Sequence, residues 1–378
     1  MLITKCRICG NKFFEKPLLR FENMPGAAQA LPDKYALNSD KGVKLEVFQC
    51  SGCGLIQLAS GPVSYYKDVI RAAGFSEEMK GFRNKQFAGF VKKFKLKRKK
   101  VIEIGCGCGE YLAIMREHGV EAYGLEHREE SFKRCVKNGL RVSKGFIESA
   151  TYKLKSAPFD AFFMLNFLEH LPDPNSTLRG IYNNLSDCGI GLVEVPNFDM
   201  IVRKKLFSEF IPDHIFYFTK DSLNTALSLN GFEVVTLDEI WHDYVISAVV
   251  RKRRRLDISS FNKKQAKIKK EIDSFLSRFK NKKVAIWGAG HQALAIISLM
   301  GLSGKIKYVI DSATFKQNKF TPATHVPIVS PDTLILDPVD AIMVMAASYS
   351  DEVARLIRQR FGKNTNIAIL RDFGLEVI

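Results

Sequence analysis

Twice in this chain a short apolar run breaks on glycines and resumes as a helical pattern: VIEIGCGCGEYL at 101–112 and KKVAIWGAGHQALAII at 282–297. A buried strand, a glycine turn and a helix start make the opening of a βαβ unit, whose turn amides face a ligand. In the first copy Gly105, Gly107 and Gly109 let the backbone pass close to such a ligand, and Glu126 ends the next strand, AYGLE. An acid at that place can accept hydrogen bonds from ribose hydroxyls. In the second copy Gly288, Gly290 and Ala293 match G-x-G-x-x-A, and Asp311 ends KYVID. Two such openings within 378 residues predict at least two α/β domains.

The elements after the first turn choose between a dinucleotide and S-adenosylmethionine. FDAFFMLNFLEHLPDP (159–174) reads as a strand ending in Asn166, followed by an acid–histidine–proline turn. GLVEVPN (191–197) is the next strand, and FEVVTLDEI (232–240) with 244–250 completes an antiparallel edge. This order, with E-x-G-x-G-x-G, Glu126 and LEHLPDP, resembles a class I methyltransferase. The expectation is that Glu103, Gly105 and Gly107 line the methionine end of the donor. Glu126 takes its ribose, and Ser76 and Asn166 lie close by. Beyond the second turn about four strands are visible by pattern, half a dinucleotide fold, with room for one nucleotide. Read from the residues alone this turn is an NAD site, although a single half holds one nucleotide and not a whole dinucleotide; glycine-turn amides from Gly288 to His291 suit phosphates.

Four of the eight cysteines pair as Cys6-x-x-Cys9 and Cys50-x-x-Cys53, each pair followed by glycine. Two such knuckles supply four thiolates, which close a tetrahedral structural zinc site with no open position. Disulfides are the competing reading, disfavoured where thiols stay reduced. Between the knuckles runs NMPGAAQALP (23–32), apolar and proline-bounded. So short a module cannot bury much core alone, so it is expected to pack on the next domain and wall a pocket.

The net charge of +17 raises the question of nucleic acid. Residues 92–100 carry +7 and residues 251–283 carry +11, so two local runs hold the whole excess. Solvated faces and a basic helix at about 259–280, with Phe261, Ile268, Ile272, Phe275 and Phe279 at helical spacing, account for them. No aromatic-interleaved RNA motif accompanies the runs, which disfavours nucleic acid as a partner. No apolar run is long enough to span a bilayer, and MLITKCRICG has no signal-peptide core, so a cytoplasmic protein is expected. Nothing in the pattern fixes an oligomeric state.

Zinc knuckles, methyltransferase core and C-terminal half-Rossmann, in this order, resemble the sugar C-methyltransferases that act on nucleotide-linked keto-deoxysugars. The local markers are the C-x-x-C pairs, MPGAAQ (24–29), YYKDVIRAAGFS (65–76), DHIFYF (213–218) and DSATFKQNKFTPATHVPI (311–328). The resemblance implies that the C-terminal domain holds a nucleotide sugar and not NAD, with Lys316, Thr321 and Pro322 joining Gly288 and His291. It also implies that His214 is the base that forms an enolate, with Asp213 and Tyr217 beside it. The other histidines that could serve as base are His170, from LEHLPDP, and His291. Where the family has tyrosines this chain has Arg71, placed against the substrate, and Ile211. The second turn, G-A-G-H-Q-A, lacks the family's lysine. Methylation at oxygen or nitrogen of a small acceptor in polysaccharide or secondary-metabolite synthesis stays open, as do a zinc-ribbon RNA methyltransferase and a non-enzymatic nucleotide scaffold. The expected organisation is a zinc-binding domain (1–62), a Rossmann-like methyltransferase domain (63–250), a basic helical linker (251–282) and a Rossmann-like α/β substrate domain (283–378).

Overall fold

The computed structural model describes residues 3–69, 76–279, 283–362 and 365–378; Arg71 lies outside them. The chain divides into two compact units, Met1–Arg255 and Leu256–Ile378.

The first unit opens with β1 (Leu19–Met24), β2 (Val43–Gln49) and β3 (Ile56–Leu58). Then follow α1 (Glu77–Phe94), β4 (Lys100–Ile104), α2 (Glu110–Glu117), β5 (Glu121–Glu126), α3 (Glu129–Lys137), β6 (Arg141–Lys144) and β7 (Phe159–Leu165). It ends with α4 (Pro174–Asn183), β8 (Leu185–Pro196), α5 (Phe198–Lys204), β9 (Phe216–Tyr217), α6 (Lys220–Leu229), β10 (Phe232–Ile240) and β11 (Val245–Lys252). Seven strands form one sheet in the order β10-β11-β8-β7-β4-β5-β6. β8, β7, β4, β5 and β6 run parallel, and β11 and β10 close the edge antiparallel. A parallel sheet is covered on both faces, so its strands read as apolar runs and not as alternations. β7 shows why: Phe159, Phe162 and Met164 enter one core while Ala161, Phe163 and Leu165 enter the other.

The cysteine-bearing segment has no core of its own. Cys6, Ile8, Cys50 and Leu55 share a cluster with Leu168, Phe216 and Phe218. On its other side Leu45, Val47, Ile56 and Leu58 pack with Phe198, Met200, Phe210 and Tyr217. The sharing extends to hydrogen bonds. β9, from the methyltransferase segment, pairs antiparallel with β3 and completes the sheet β1-β2-β3-β9.

The second unit holds α7 (Ser259–Leu276), β12 (Val284–Trp287), α8 (His291–Met300), β13 (Val309–Ile310), β14 (Lys319–Phe320) and β15 (Pro327–Val329). It continues with α9 (Thr333–Leu336), β16 (Ala341–Val344), α10 (Ser350–Phe361), β17 (Asn366–Leu370) and β18 (Leu375–Val377). Its sheet runs β14-β15-β13-β12-β16-β17-β18, parallel except for the two outer strands. Seven strands stand where pattern reading finds about four. β13 and β14 have two residues each and β15 and β18 three, too few to display a period. α7 is the expected basic helix; its Ile272 and Phe275 pack with Val284 and Ile286. Among the described residues no helix is long and apolar enough to cross a membrane.

One buried ion pair ties α1 to the sheet of the first unit. Arg83 and Glu194, 1% and 0% exposed, meet at 2.5 Å. Gln86 and Ser247 also donate to the Glu194 carboxylate, and the guanidinium lies 5.0 Å over the Tyr111 ring. Removing one partner strands a charge in a dry interior, which costs about 3–5 kcal/mol. Glu194→Ala is expected to lower the stability of this unit by that amount, and Arg83→Met with Glu194→Leu by less. Only two tryptophans are present. Urea titration in a Trp287→Phe background therefore reads this unit alone, through Trp241, which packs 5.2 Å from Phe82. A single mutant no less stable than the double would contradict the account.

Candidate active site

The first glycine turn follows β4 and feeds α2. Gly105 and Gly107 take φ of +71° and +54°, open to glycine and strained for other residues. A Cβ on Gly105 would also meet the Phe167 ring at 3.1 Å. Glu126, at the end of β5, is nearly buried and binds back to the turn. Its carboxylate accepts from Gly107 N–H at 2.7 Å and from Arg128 N–H at 2.8 Å. Burial raises this carboxyl above its ordinary range, partly offset by those amides. Beside it a narrow cavity of about 30 Å³ is lined by His127, Gly145, Phe146 and Phe167. Lys67 and Val69 border it. Asp68 meets His127 Nδ1 at 2.9 Å, and Lys67 pairs with Glu148 with its Nζ 5.3 Å from the Phe146 ring centre. Asn166, the residue after β7, takes a left-handed φ of +49° and donates its N–H to Glu194 O. Glu103 lies on β4, 1% exposed, outside the lining of these cavities. Ser76 caps α1 by accepting Met79 N–H at 3.1 Å.

A second cavity, about 360 Å³, joins that turn to the histidines. Gly105, Gly107 and Asn166 form one side, and Glu169, His170, Asp213 and His214 another. Ala28 and Gln29, from NMPGAAQALP, wall it as expected. Asp213 works through its contacts: Oδ1 accepts from Tyr65 OH at 2.6 Å and Oδ2 from Ala28 N–H at 2.8 Å. Its backbone oxygen accepts a hydrogen bond from His170 Nδ1–H at 2.7 Å. The His170 and His214 rings meet edge-to-face, centroids 4.8 Å apart. Burial lowers both imidazole pKa values, that of His214 to about 3 with His170 adding to the effect. Both rings are therefore neutral near pH 7. Burial pushes the Glu169 carboxyl the other way, up to about 8.

Tyr217 requires a correction. Its hydroxyl accepts Ile211 N–H at 2.9 Å and donates to Ile211 O at 3.2 Å, and its ring sits among Phe198 and Phe210. It does not line the cavity with His214. The cause is β9: Tyr217 pairs with Ile56 and its side chain falls on the core face of that sheet.

The four thiols of Cys6, Cys9, Cys50 and Cys53 converge. Cys6 and Cys53 Sγ lie 3.7 Å apart, Cys9 and Cys50 Sγ 3.3 Å apart, and all four fall within 4.8 Å of one another. Thiolates bonded to zinc at about 2.3 Å stand roughly 3.8 Å apart along a tetrahedral edge, so the donor set fits that ion. None of the four is in a disulfide. Ile8 N–H points at Cys6 Sγ and Gly52 N–H at Cys50 Sγ, as a tight knuckle requires. Arg7, inside the first knuckle, lies 5.8 Å over the Phe216 ring and donates to Leu58 O at 2.7 Å.

In the second unit the turn after β12 is largely self-satisfied. Ala289 N–H donates to Asp311 Oδ2 at 2.8 Å, and Lys316 Nζ pairs with the same oxygen at 2.9 Å. A Cβ on Gly288 would meet Met345 O at 2.6 Å, so this glycine serves strand packing. His291 is exposed at the first position of α8. Thr321 is buried, its hydroxyl taken by Val326 N–H and Thr324, and the Pro322 carbonyl accepts Thr324 N–H. Gly288, Asp311 and Lys316 thus come together, and Thr321 and Pro322 form a closed turn.

Sequence reasoning assigned no role to Tyr65, Phe146, Phe167 or Glu169. Glu169 left a signal, an acid beside a histidine inside an apolar turn, but its burial is visible only in the fold.

Comparison with known proteins follows this division. The family described as "Methyltransferase domain" matches residues 78–237, and "C-methyltransferase C-terminal domain" matches residues 253–369. The C-methyltransferase NovU of Streptomyces niveus is 22% identical over 93% of this chain and 91% of its own length. A ubiquinone biosynthesis O-methyltransferase of Idiomarina loihiensis is 30% identical over 24% of this chain and 40% of its own. A crystal structure of an S-adenosylmethionine-dependent methyltransferase from Clostridium acetobutylicum aligns with 46% of this chain and 92% of its own, at 10% identity and a TM-score of 0.39. The chain thus carries a methyltransferase domain followed by a C-methyltransferase C-terminal domain, and it is an S-adenosylmethionine-dependent methyltransferase.

Proposed function

We propose that this enzyme methylates carbon next to the ketone of a nucleotide-linked keto-deoxysugar, with His214 as the base. The observation that carries the reading is the shared cavity: the donor turn at Gly105 and Gly107 and the His214 imidazole line one space of about 360 Å³. A neutral imidazole takes the proton from the carbon beside the carbonyl, and the C–H electron pair moves onto the carbonyl oxygen as an enolate. The enolate carbon attacks the donor's methyl, the ketone reforms and a neutral thioether leaves. Carbon as the methylated atom is supported by the similarity to a C-methyltransferase along nearly the whole chain. The nucleotide sugar is supported by the DSATFKQNKFTPATHVPI stretch, with Gly288, His291 and Lys316 as candidate contacts.

In the same reading Glu126 receives the donor's ribose hydroxyls. Gly105 and Gly107 take its methionine end, and Phe146 and Phe167 flank its base. Cys6, Cys9, Cys50 and Cys53 hold a structural zinc, which would fix the sheet to which the segment after His214 is paired.

Three outcomes are expected. Metal analysis of purified protein should give close to one zinc per chain, lost with Cys50→Ser; absence of zinc would remove that part of the reading. Glu126→Ala should weaken S-adenosylmethionine by about 1.5–3 kcal/mol for each charge-assisted hydrogen bond lost. Calorimetry giving unchanged affinity would assign the ribose elsewhere. His214→Asn should slow methylation of a keto-deoxysugar by about 10²–10⁴ with donor binding intact. Because His214 titrates far below 6.5, the wild-type rate should show no acid limb near that pH. Deuterium exchange of the substrate without donor should stop in the mutant. Exchange persisting in His214→Asn would transfer the base role to another group, and methyl found on oxygen would rule out the enolate.

A further inference from the structure

We propose that Glu169 is a further catalytic group of this site: it keeps a proton and donates it as a hydrogen bond to the oxygen that becomes the enolate. The inference rests on the enolate reading above. Glu169 lines the same cavity as His214 and is 1% exposed. Its Oε2 is buried and finds no hydrogen-bond partner in the protein, whereas native interiors leave few polar atoms unpaired. Its Oε1 stands 3.9 Å from His170 Nε2, too far for a hydrogen bond.

The rest of the wall leaves the role open. Asp213 is an acceptor, filled by Tyr65 and Ala28. His170 spends its Nδ1 proton on Asp213 O, so its Nε2 carries none. His214 is needed as the base. No lysine or arginine is among the described residues lining this cavity. Apart from the donor's own sulfonium, an enolate oxygen formed here would meet no cation from the described lining residues. A weakly basic imidazole makes that more costly, because the weaker the base, the more the enolate must be stabilised for the proton to move.

The surroundings keep the Glu169 proton in place. His170 and His214 face it, both neutral near pH 7. Of the strands packed against the 168–170 turn, β8 brings Glu194, already paired with Arg83, and β9 brings Tyr217, bonded to Ile211. None offers a cation, and burial favours the neutral acid up to about pH 8. A buried carboxylic acid held neutral is an effective oxyanion donor. Its O–H lends a hydrogen bond while the C–H electrons reside on the substrate oxygen, and it is unchanged once the ketone reforms. The abstracted proton stays on His214 until product leaves.

The test compares Glu169→Leu and Glu169→Gln with wild type on a nucleotide-linked keto-deoxysugar, with S-adenosylmethionine affinity measured alongside. Removing one preorganised donor costs about 10²–10³ in kcat. Leucine should show that loss with donor affinity unchanged. Glutamine keeps an N–H donor and should retain most of the rate. Wild type should lose rate as pH rises through about 8, and the glutamine variant should lose that limb. A folded leucine variant within threefold of wild type would overturn the proposal. So would a glutamine variant as slow as leucine, which would mean that an ionised carboxylate, or a divalent cation bound to it, is required. Infrared difference spectra of the protein without acceptor keep the test apart from the sugar reading. A protonated-carboxyl band at pH 7 that vanishes in Glu169→Gln supports the proposal even if no keto-sugar is methylated, and its absence defeats it.

Discussion

The pairing of Ile56 and Gln57 with Phe216 and Tyr217 is a short ladder, yet it governs where the histidine stands. His214 sits in a turn two residues before this strand, with its N–H on Ile211 O. The ladder fixes the far end of that turn, and Leu58 N–H, bonded to Ile215 O, fixes the residue next to it. Gln57 is wholly buried, its side-chain Oε1 accepting from the backbone N–H and the guanidinium of Arg7 in the first cysteine knuckle. The knuckle is anchored in turn by Asn175 of α4, which donates to the Arg7 and Ile8 carbonyls. The cysteine cluster, the ladder and the cavity are therefore one mechanical object, and the cysteine module frames the site from which its own residues are distant in sequence.

The two glycine turns show how similar local sequence can serve different ends. In both, an acid at the end of the following strand accepts an amide from the turn: Glu126 from Gly107, Asp311 from Ala289. Asp311 is also paired with Lys316, so its charge is spent. No cation pairs with Glu126 among the described residues' salt bridges, and burial raises its carboxyl. An acceptor that is oriented but not neutralised suits hydroxyl groups, because their donation adds to what the amides supply. The motif alone does not carry this difference; the lysine five residues after Asp311 does.

Much of this was legible in the sequence. The first turn, its acid, the strand ending at Asn166 and the four cysteines are local patterns whose chemistry depends on neighbours in the chain, and each stands where reading placed it. The shortfalls share one cause. Tyr217 reads as a partner of His214 because alternation alone cannot say which sheet claims the strand; β3 claims it, from far upstream. The strands of the second unit escaped notice because two or three residues display no period. Glu169 reads as one letter of a turn signature, and only the packing of Leu168, Leu171 and Ile215 around its backbone puts its carboxyl in a dry place.

The placement of β9 also bears on how the chain is made. β3 emerges from the ribosome with its outer edge bare, and the strand that covers it follows some 160 residues later. At roughly 5–20 residues per second that edge waits on the order of 8–30 s. An unpaired edge is a template for any passing strand. β3 is only three residues long, which limits what it can recruit during the delay. Brevity at this edge is thus a safeguard during synthesis, and lengthening β3 would trade a firmer ladder in the finished enzyme for a stickier nascent chain.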